Sequence, residues 1–389
     1  MTRKQKSLLY LPTCPYNEDM NTNTHPTMKL LIQIVGKQTL PNALPILALK
    51  PDIVANLYTK TTAKAREKLQ NWIKTRDFGH PIEECGVEID DNNQYESTLA
   101  YCREVLRVSA GQEILFNMTG GTKLMSLAMY QVAAEHGNVA VIYQETPKEG
   151  TKDYASLLKW LLCEDKKDLW YSNYNAADRL NIDDFLFLGE QPPLSPKQRD
   201  WRAMVDAARA VQSQLRSDRG RRNPNGNESF LGYVNRRPAL IQSFKAAGCP
   251  MEGGRFCNAR DNKFFTGGWW EVLTADYLSS QNKYTDIRCS VETKVCDDKN
   301  TEVDVLATDG FSLTCYSCKV ALQNPDSEIQ KHKSRAKALG GEQSIFGISV
   351  YSCSSASRAS MMQFASAAGA DVITGLHVFP TDQMLIAML

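Results

Sequence analysis

Two carboxylates and a lysine lie close together in a stretch that the sequence predicts to be a β-hairpin. Glu302 and Asp304 precede the pair Asp309-Gly310, which is a strong turn signal, and Lys319 follows that turn. Carboxylates bind Mg²⁺ or Mn²⁺, and a neighbouring lysine orients water or stabilises charge that develops at phosphorus. The stretch therefore predicts a metal-dependent site for phosphodiester hydrolysis.

The register of this hairpin decides which side chains share a face. A loop of only two residues places Asp304 opposite Cys315 and Glu302 opposite Ser317. Because side chains alternate between the two faces of a strand, both acids are expected on the face that carries Ser317 and Lys319. The ordinary alternative is a polar, solvent-facing side of a hairpin.

A glutamate on the preceding segment favours the catalytic interpretation. Glu271 lies in a stretch predicted to be helical. A helical glutamate, then Asp304 on one strand, then Lys319 on the next, follows the order of residues in the PD-(D/E)xK nuclease fold. This resemblance implies that Glu271, Asp304 and Lys319 are catalytic, with Glu302 beside them.

One residue departs from that family pattern. Ser317 stands two positions before Lys319, where the pattern has an acid. The metal site is then expected to use Glu271, Asp304 and the position of Ser317, with water and a backbone carbonyl, and to bind metal weakly or prefer Mn²⁺. Glu302 is the expected substitute for the missing charge, and loss of activity is the alternative.

Other metal chemistry is disfavoured by residue spacing. Cys315 and Cys318 point to opposite faces of a strand, and no second cysteine pair or His-x-x-x-His pair accompanies them. A predicted helix over residues 326–339 is basic and forms either a track for nucleic acid or a solvated face. Its basic side chains and its histidine are Lys331, His332, Lys333, Arg335 and Lys337.

A glycine-rich loop is the second candidate site. A predicted strand at 114–117 runs into Met118-Thr119-Gly120-Gly121-Thr122-Lys123, which opens a helix. Glycines let a ligand approach the backbone, and free N–H groups in a first helical turn attract anions. The spacing is neither that of a Walker A loop nor that of a dinucleotide fingerprint, so nucleotide binding without hydrolysis is predicted. A tight turn with Thr119 as the N-cap is the alternative.

Small polar residues also follow two other predicted strands, at 36–42 and 59–62. The carboxyl ends of parallel strands meet at one edge of a sheet, where such folds bind ligands. The predicted ligand-binding residues are Gly36, Gln38, Thr39, Asn42, Thr59, Asn117, Thr119, Gly120, Gly121, Thr122 and Lys123.

The elements that must position these loops alternate along the chain. Strands are predicted at 30–35, 53–58, 86–89, 114–117 and 139–143, and helices at 44–49, from 62, from 95 and at 121–136. Strands that alternate with helices predict a parallel, doubly wound sheet.

The whole chain is predicted to be α/β and to contain four regions. These are a polar arm at 1–27, a Rossmann-like domain at 28–177, a helical linker at 178–260 and a second α/β domain at 261–389. The linker includes a predicted helix at 195–216 and a loop at 219–226 that is rich in arginine, glycine and asparagine.

Composition limits the classes of protein that fit. The 389 residues include 45 basic and 44 acidic side chains, so any contact with nucleic acid must come from local patches. Eleven cysteines, an odd number scattered through apolar segments, suit reduced thiols and a cytoplasmic location. Since no apolar run of about 18 residues occurs, no membrane partner is expected.

The ends of two predicted strands resemble a known family of nucleotide sensors. Val35-Gly36-Lys37-Gln38 with Pro41-Asn42, and later the segment 117–123, resemble the CARF (CRISPR-associated Rossmann fold) sensor of CRISPR ancillary nucleases. In that family a PD-(D/E)xK nuclease follows the sensor. The resemblance implies a homodimer that binds one cyclic oligoadenylate, usually cyclic tetra-adenylate, as an allosteric activator. It also implies cleavage of DNA and/or RNA in type III CRISPR antiviral defence.

Two other functions remain open. The chain could be a CARF regulator whose nuclease domain is degenerate and inactive, because Ser317 replaces the acid. Alternatively, the Rossmann-like domain could bind a mononucleotide substrate, although residues 28–150 contain no recognisable transfer motif.

Overall fold

The structure of the chain is a computed structural model, and it describes residues 28–109, 112–136, 139–144, 158–161, 179–189, 200–221, 234–249, 251–256, 263–296, 299–321, 325–341, 344–382 and 385. The predicted arm at 1–27 and residues 222–226 of the arginine-rich loop lie outside this set. The chain divides into two compact units. The N-terminal unit contains the described residues up to 144 with 158–161, 179 and 187–189, and the C-terminal unit contains 180–186 and the described residues from 200 onward.

The N-terminal unit is built on a six-stranded sheet. Its strands are β1 (Lys29–Ile34), β2 (Ile53–Tyr58), β3 (Glu83–Glu88), β4 (Glu113–Asn117), β5 (Ala140–Gln144) and β6 (Leu158–Leu161). The spatial order is β3-β2-β1-β4-β5-β6, with β1 to β5 parallel and β6 antiparallel to β5. The direction of winding reverses between β1 and β4, which is the switch point of a doubly wound fold. The predicted α/β class with a parallel sheet is confirmed.

Four helices connect the parallel strands. They are α1 (Leu40–Leu49), α2 (Ala63–Thr75) after a 3₁₀ turn at Lys60–Thr62, α3 (Gln94–Val108) and α4 (Lys123–His136). Every strand and helix predicted between residues 30 and 143 is present, with its ends shifted by a few residues. The start of α1 moves to Leu40 because Pro41 suits a first helical turn, where its missing N–H is not needed.

The central strands β1, β2 and β4 are buried along almost their whole length and are mostly apolar. In β1, Leu30 to Ile34 are all buried, and Leu30, Ile32 and Ile34 pack in one cluster with Phe116 and Val141. A strand reads as a continuous apolar run when helices cover both faces of its sheet. This explains why the strands of this unit could be predicted from sequence.

The C-terminal unit contains a five-stranded mixed sheet. Its strands are β9 (Asp286–Cys296), β10 (Lys299–Thr308), β11 (Leu313–Ala321), β12 (Ser344–Ser352) and β13 (Asp371–Thr374), and a small ribbon is formed by β7 (Met251–Glu252) and β8 (Arg255–Phe256). The order is β13-β12-β11-β10-β9; β9, β10 and β11 are antiparallel, and β11, β12 and β13 are parallel.

The helices described from residue 180 onward belong to the C-terminal unit, except that residues 187–188 of the first helix belong to the N-terminal unit. They are α5 (Ile182–Leu188), α6 (Val205–Arg221), α7 (Pro238–Ala246), α8 (Trp269–Ser280), α9 (Pro325–Gly340), α10 (Ser355–Ala368) and α11 (Gly375–Val378). A 3₁₀ turn (Arg202–Met204) leads into α6, and a π-helical turn (Phe264–Gly268) leads into α8. Within the described part of the chain, no helix is both long and apolar enough to cross a membrane.

The segment predicted as a helical linker is partly buried in the C-terminal unit. Trp201, Met204, Ala208 and Val211 lie in the same apolar cluster as Trp270 of α8. Their spacing of three or four residues puts them on one helix face. The helix α6 is therefore a structural part of this unit.

The hairpin loop between β10 and β11 is longer than the predicted two residues, and that prediction is wrong. Thr308 pairs with Leu313, so residues 309–312 form a four-residue loop. Asp309 Oδ1 accepts hydrogen bonds from the backbone N–H groups of Phe311 (2.9 Å) and Ser312 (2.8 Å). The aspartate thus closes the loop with its side chain, which a two-residue turn would not require.

The longer loop shifts the strand pairing by two residues. Leu306, and not Asp304, lies opposite Cys315. Because side chains alternate with a period of two, an even shift leaves each residue on its predicted face. Asp304 therefore still shares a face with Ser317.

Candidate functional sites

An open cleft of about 400 Å³ lies between the end of β4 and the first turns of α4. Residues 118–123 line one side of it, and Ser126, Leu127, Tyr130 and Tyr143 complete the lining. The cleft adjoins the switch point between β1 and β4, where doubly wound sheets bind their ligands. It combines backbone donors with apolar and aromatic surface.

Three glycines allow the loops after β1 and β4 to touch each other. A Cβ on Gly120 would lie 2.0 Å from the carbonyl oxygen of Ile34, and a Cβ on Gly36 would lie 3.2 Å from the backbone nitrogen of Gly121. Gly121 also has φ +73°, in the left-handed region that favours glycine. The glycines predicted to admit a ligand are thus also required for the packing of the two loops.

Asn117 holds the loop that follows β4. Its buried amide donates hydrogen bonds to Gln33 Oε1 and to the carbonyl of Pro41, both at 3.1 Å. Its Oδ1 accepts from the backbone N–H (3.1 Å) and the hydroxyl (2.7 Å) of Thr119. Asn117 therefore anchors the loop from inside the sheet, while Thr119 lines the cleft.

Thr122 and Lys123 are exposed at the beginning of α4. The Thr122 hydroxyl donates to Gln94 Oε1 at 2.6 Å and lies 3.4 Å from the backbone nitrogen of Met125. Thr122, and not Thr119, occupies the position before the first helical residue. The N–H groups of this first turn have no partner within the helix and are suited to an anion.

A row of buried polar side chains crosses the sheet beside this loop, and no sequence pattern indicated it. Gln33 donates to Asn56 Oδ1 and Asn56 donates to Glu84 Oε1, both at 2.9 Å. Arg66 donates to both oxygens of Glu84, at 2.9 and 2.7 Å. Since Gln33 also accepts from Asn117, the row links β4 through β1, β2 and β3 to α2. Buried polar groups that satisfy one another hold each side chain in one orientation.

Several predicted ligand residues lie inside the unit. Asn42 donates to the last carbonyl of β1 at 2.9 Å, and the Thr39 hydroxyl donates to the carbonyl of Leu188 at 2.5 Å. The hydroxyl of Thr59 shares a 2.8 Å hydrogen bond with that of Thr61. Asn42, Thr39 and Thr59 are all buried and do not line the cleft.

One face of α4 is apolar and exposed. Leu124, Leu127 and Tyr130 are 54%, 57% and 40% exposed, and Tyr143 on the neighbouring β5 is 42% exposed. Large apolar side chains three residues apart on a helix normally face a core or a partner. We call these four residues the α4 face.

Asp304 is the central carboxylate of the candidate active site in the C-terminal unit. Its Oδ2 accepts a hydrogen bond from the backbone N–H of Cys318 at 2.8 Å. Burial raises the pKa of Asp304, although the N–H of Cys318 and the charge of Lys319 oppose the shift. A nearby cation would favour the ionised form of this carboxylate.

Glu271, in the first turn of α8, contacts the strand next to β10. Its Oε2 accepts from the Ser290 hydroxyl at 2.9 Å, and the strand pairs on either side set Ser290 opposite Asp304. Ser290 has φ +50°, a strained conformation for a residue other than glycine and one found often near functional sites. Burial, then the charges of Asp304 and Glu271, raise the pKa of the Cys318 thiol well above its ordinary value. Glu271 is therefore attached to β9 at the position opposite Asp304.

Ser317 contacts an imidazole. Its Oγ lies 3.1 Å from His332 Nε2, and the same nitrogen lies 2.9 Å from Glu328 Oε2. The Lys319 ammonium is 3.8 Å from Glu328 Oε2. Burial and the charge of Arg335 lower the pKa of His332 to about 4, so the ring is neutral at neutral pH. Glu328 was not among the predicted site residues, because a contact between a helix and a strand leaves no local pattern.

The charge of Glu302 contributes to the raised pKa of Asp304, but the direct contacts of Glu302 are with other residues. Its carboxylate pairs with the exposed Lys263 at 3.5 Å, and its backbone carbonyl accepts a hydrogen bond from Arg335 at 3.1 Å. The shift of the hairpin removes Ser317 as its cross-strand neighbour. Arg335 of the basic helix thus ties α9 to β10 in addition to carrying charge.

The donor atoms suit a hard divalent cation. Glu271 and Asp304 offer carboxylate oxygens, the ligands that Mg²⁺ and Mn²⁺ prefer. Among the residues described by the structure, no group of three or more His, Cys, Asp or Glu side chains is arranged to hold a metal ion. The hydroxyl of Ser317, the third predicted metal ligand, is occupied by His332. Two acids with water completing the shell would bind a cation weakly.

Residues 30–166 match the family model of the Card1 CARF domain. The match covers nearly all of the six-stranded sheet and both loops at its switch point. This region of the chain is therefore a CARF domain. The family model does not extend into the C-terminal unit, and no curated protein sequence matches the chain.

Solved structures share the fold of both units. Protein VC1899 from Vibrio cholerae is 17% identical with a TM-score of 0.64, over 93% of this chain and 98% of its own. Can2 from Sulfobacillus thermosulfidooxidans, solved with cyclic tetra-adenylate, is 18% identical with a TM-score of 0.59, over 92% of this chain and 99% of its own. A type III CRISPR defence DNA nuclease activated by cyclic oligoadenylate is 15% identical with a TM-score of 0.52, over 86% of this chain and 47% of its own. At these identities the likeness concerns the fold.

The predicted ligand residues of the CARF domain separate into two groups. Five line the cleft, namely Thr119, Gly120, Gly121, Thr122 and Lys123. Six do not line it, and most of these support the loops: Gly36, Gln38, Thr39, Asn42, Thr59 and Asn117.

Proposed function

We propose that the CARF domain binds a cyclic oligoadenylate, with cyclic tetra-adenylate as its ligand, in the cleft beside Gly120 and Gly121. The observation that carries this proposal is the open cleft at the switch point of a domain that matches the Card1 CARF model. The likeness to Can2, which was solved with cyclic tetra-adenylate, supports the choice of ligand.

The lining of the cleft matches the chemistry of this ligand. Phosphodiester groups would accept hydrogen bonds from the first-turn N–H groups of α4 and attract the ammonium of Lys123. Adenine rings would stack on aromatic surface such as Tyr130 and Tyr143, which line the same cleft. Backbone donors and an apolar wall therefore serve different parts of one ligand.

A homodimer belongs to the same proposal. The α4 face borders the cleft, since Leu127, Tyr130 and Tyr143 belong to both. If two copies of this face meet, each copy brings one cleft to a common two-fold axis, which suits a ring with repeated units. We expect this dimer to exist before the ligand binds.

We further propose that the C-terminal unit is a PD-(D/E)xK-type nuclease that cuts DNA and/or RNA in type III CRISPR defence. Glu271, Asp304 and Lys319 support this role, because Glu271 binds Ser290, which lies opposite Asp304, and the charge of Lys319 acts on Asp304. The likeness to a DNA nuclease activated by cyclic oligoadenylate supports coupling between ligand and cleavage.

In this mechanism Glu271 and Asp304 would hold Mg²⁺ or Mn²⁺. When bound, such an ion polarises the scissile phosphate and lowers the pKa of the attacking water. Lys319 would stabilise the charge that develops at phosphorus. Cys318 contributes through its backbone N–H, which keeps one oxygen of Asp304 in place.

A cleavage assay tests the proposed ligand, metal and substrate together. Supercoiled plasmid and single-stranded RNA are incubated with the full chain, with and without cyclic tetra-adenylate, in Mg²⁺ and in Mn²⁺. We expect cleavage only when ligand and metal are both present. Cleavage at the same rate with and without cyclic tetra-adenylate would contradict the proposal. Failure of this ligand to bind in calorimetry would also contradict it.

A regulator without nuclease activity is the second candidate. The burial of Ser317 against His332 favours it, because the strand then provides no acid beside Lys319. This candidate predicts tight ligand binding and no cleavage of either nucleic acid under any of the four conditions.

A further inference from the structure

A carboxylate from a neighbouring helix reaches the place where β11 lacks one. Ser317 occupies the position two residues before Lys319, and it is 1% exposed. Glu328, on α9, lies 3.8 Å from the Lys319 ammonium. Its carboxylate is therefore near the lysine although it comes from another element.

His332 fixes the position of this carboxylate. The ring is buried, stacks on Phe346 at a centroid distance of 5.9 Å and an interplanar angle of 10°, and places Nε2 2.9 Å from Glu328. One turn of α9 separates the two residues, so the helix itself sets their spacing. A side chain held at its tip by a buried ring loses most of its rotamer freedom before it meets Lys319.

The direction of the hydrogen bonds excludes a serine nucleophile at this cluster. An ionised carboxylate can only accept, so Nε2 of His332 carries the proton and donates it to Glu328. The same nitrogen faces Ser317 and cannot take a proton from it. In a serine–histidine–acid triad, the serine and the acid contact different ring nitrogens. The cluster is therefore built to hold Glu328, not to activate Ser317.

Lys319 is flanked by two carboxylates. Its charge acts on Asp304 and on Glu328. Burial opposes the ionisation of Glu328, but Lys319 and the hydrogen bond from His332 outweigh it and lower the pKa of this carboxyl. A flexible lysine side chain needs such partners to stay in one place.

We propose that Glu328, held by His332, replaces the acid that the family pattern has at the position of Ser317. In this role Glu328 is the positioning residue for Lys319. This inference rests on the proposed nuclease function. It assigns the role to Glu328 instead of Glu302, whose carboxylate pairs with Lys263 at the surface.

Glu328→Gln is the direct test. The variant keeps the shape of the side chain and an oxygen for the His332 N–H but loses the charge that holds Lys319. We expect kcat for ligand-stimulated cleavage to fall about 100-fold, the scale of a well-placed catalytic group, while KM and the melting temperature stay unchanged. Asp276→Asn is the matched control, because it breaks an exposed 2.9 Å ion pair with Arg209 in the same unit, and it should cleave at the wild-type rate.

Moving the carboxylate back to the strand tests the role further. In the double variant Ser317→Glu/Glu328→Gln, the acid stands where the family pattern has it, and we expect cleavage to recover at least tenfold relative to Glu328→Gln. Wild-type cleavage by Glu328→Gln would overturn the proposal. A folded double variant that gains nothing over the single variant would also overturn it.

A second readout does not depend on cleavage. The rate at which an acylating reagent modifies Lys319, without metal or nucleic acid, is measured by peptide mass spectrometry. An ammonium held by Glu328 reacts slowly, so Glu328→Gln should react severalfold faster at Lys319 and equally at the exposed Lys245 of α7. Equal rates at Lys319 would reject the contact. Because this measurement needs no cleavage, it separates a failure of the inference from a failure of the nuclease proposal.

Discussion

Asn117 Oδ1 accepts two hydrogen bonds from Thr119, one from the backbone N–H at 3.1 Å and one from the hydroxyl at 2.7 Å. The amide of Asn117 donates at the same time to Gln33, the first member of the row that continues to Glu84. The loop that lines the cleft is thus attached to the interior of the CARF sheet. Its shape therefore depends on residues that do not line the cleft.

Replacing Asn117 should destabilise the CARF domain and weaken ligand binding together. Asn117→Ala leaves the buried oxygen of Gln33 without this donor, so we expect a loss of about 1–3 kcal/mol in the free energy of unfolding. Urea denaturation measures it, and calorimetry with cyclic tetra-adenylate measures the affinity. Asn71→Ala, the same change on the exposed side of α2, should alter stability by less than about 0.5 kcal/mol. Equal stability of the two variants would contradict this view of Asn117.

Gly121 and Gly79 provide a matched pair for the packing of the loops. Both have positive φ, +73° and +80°, but a Cβ on Gly121 would lie 2.0 Å from Ile34 Cγ2, whereas a Cβ on Gly79 meets nothing within 4 Å. Gly79→Ala should cost about 1–2 kcal/mol from the backbone alone, and Gly121→Ala about 1–3 kcal/mol more from the clash. Denaturation midpoints of the two variants check the difference. If both lose the same amount, the contact between the loops is not tight.

Lys123 should contribute to ligand affinity without supporting the fold. It is exposed at the start of α4 and lines the cleft, so Lys123→Ala should weaken the binding of cyclic tetra-adenylate about tenfold, which corresponds to about 1.4 kcal/mol. Isothermal titration calorimetry gives the affinity, and thermal melting should be unchanged. Lys74→Ala removes an exposed lysine from the last turn of α2 and should bind normally. Normal binding by Lys123→Ala would show that the ligand does not bind at this loop.

The α4 face should hold the dimer. Leu127 is 57% exposed at the centre of that face, so Leu127→Glu should convert a dimer into a monomer at micromolar concentration, as measured by light scattering without ligand. Val108→Glu introduces the same charge at an exposed apolar residue on α3, where 46% of the side chain is accessible, and should remain dimeric. A wild-type chain that is monomeric until ligand is added would contradict a preformed dimer.

Replacing Asp304 and replacing Lys319 should have different effects on Mn²⁺ binding. Asp304→Ala removes a proposed metal ligand, so we expect both cleavage and Mn²⁺ binding to be lost. Lys319→Ala should lose cleavage by a factor of about 10² to 10⁴ and keep Mn²⁺ binding, because a cation is not a metal ligand. Calorimetric titration with Mn²⁺ distinguishes the two variants. Full ligand-stimulated cleavage by Asp304→Ala would remove the active-site assignment.

The hairpin shows how far sequence reasoning reached. Alternation along β10 and β11 correctly predicted that Asp304 shares a face with Ser317, although the assumed loop was two residues too short. The error did not change the predicted face of any side chain, because side chains alternate between the two faces of a strand with a period of two residues. It did affect the partner of Glu302, since the residue expected to compensate for Ser317 faces Lys263 instead.

Local order is what the sequence by itself determined about this protein. The alternation of apolar strands and amphipathic helices, the glycine-rich turn before Lys123 and the sequence order of Glu271, Asp304 and Lys319 all depend on residues close in the chain, so their spacing predicts them. The carboxyl ends of parallel strands must lie at one edge, which is why the cleft at the switch point was also expected.

Contacts between distant residues were decided only by the tertiary structure. Gln33 meets Asn56 because two strands pair in one register, and Glu328 meets Lys319 because α9 packs on β11 with one particular rotation. Neither relation has a period along the chain, so no local pattern could reveal it. Side-chain positions also depend on burial, which is why the polar residues Asn42 of α1 and Asn117 at the end of β4 hold the loops instead of lining the cleft.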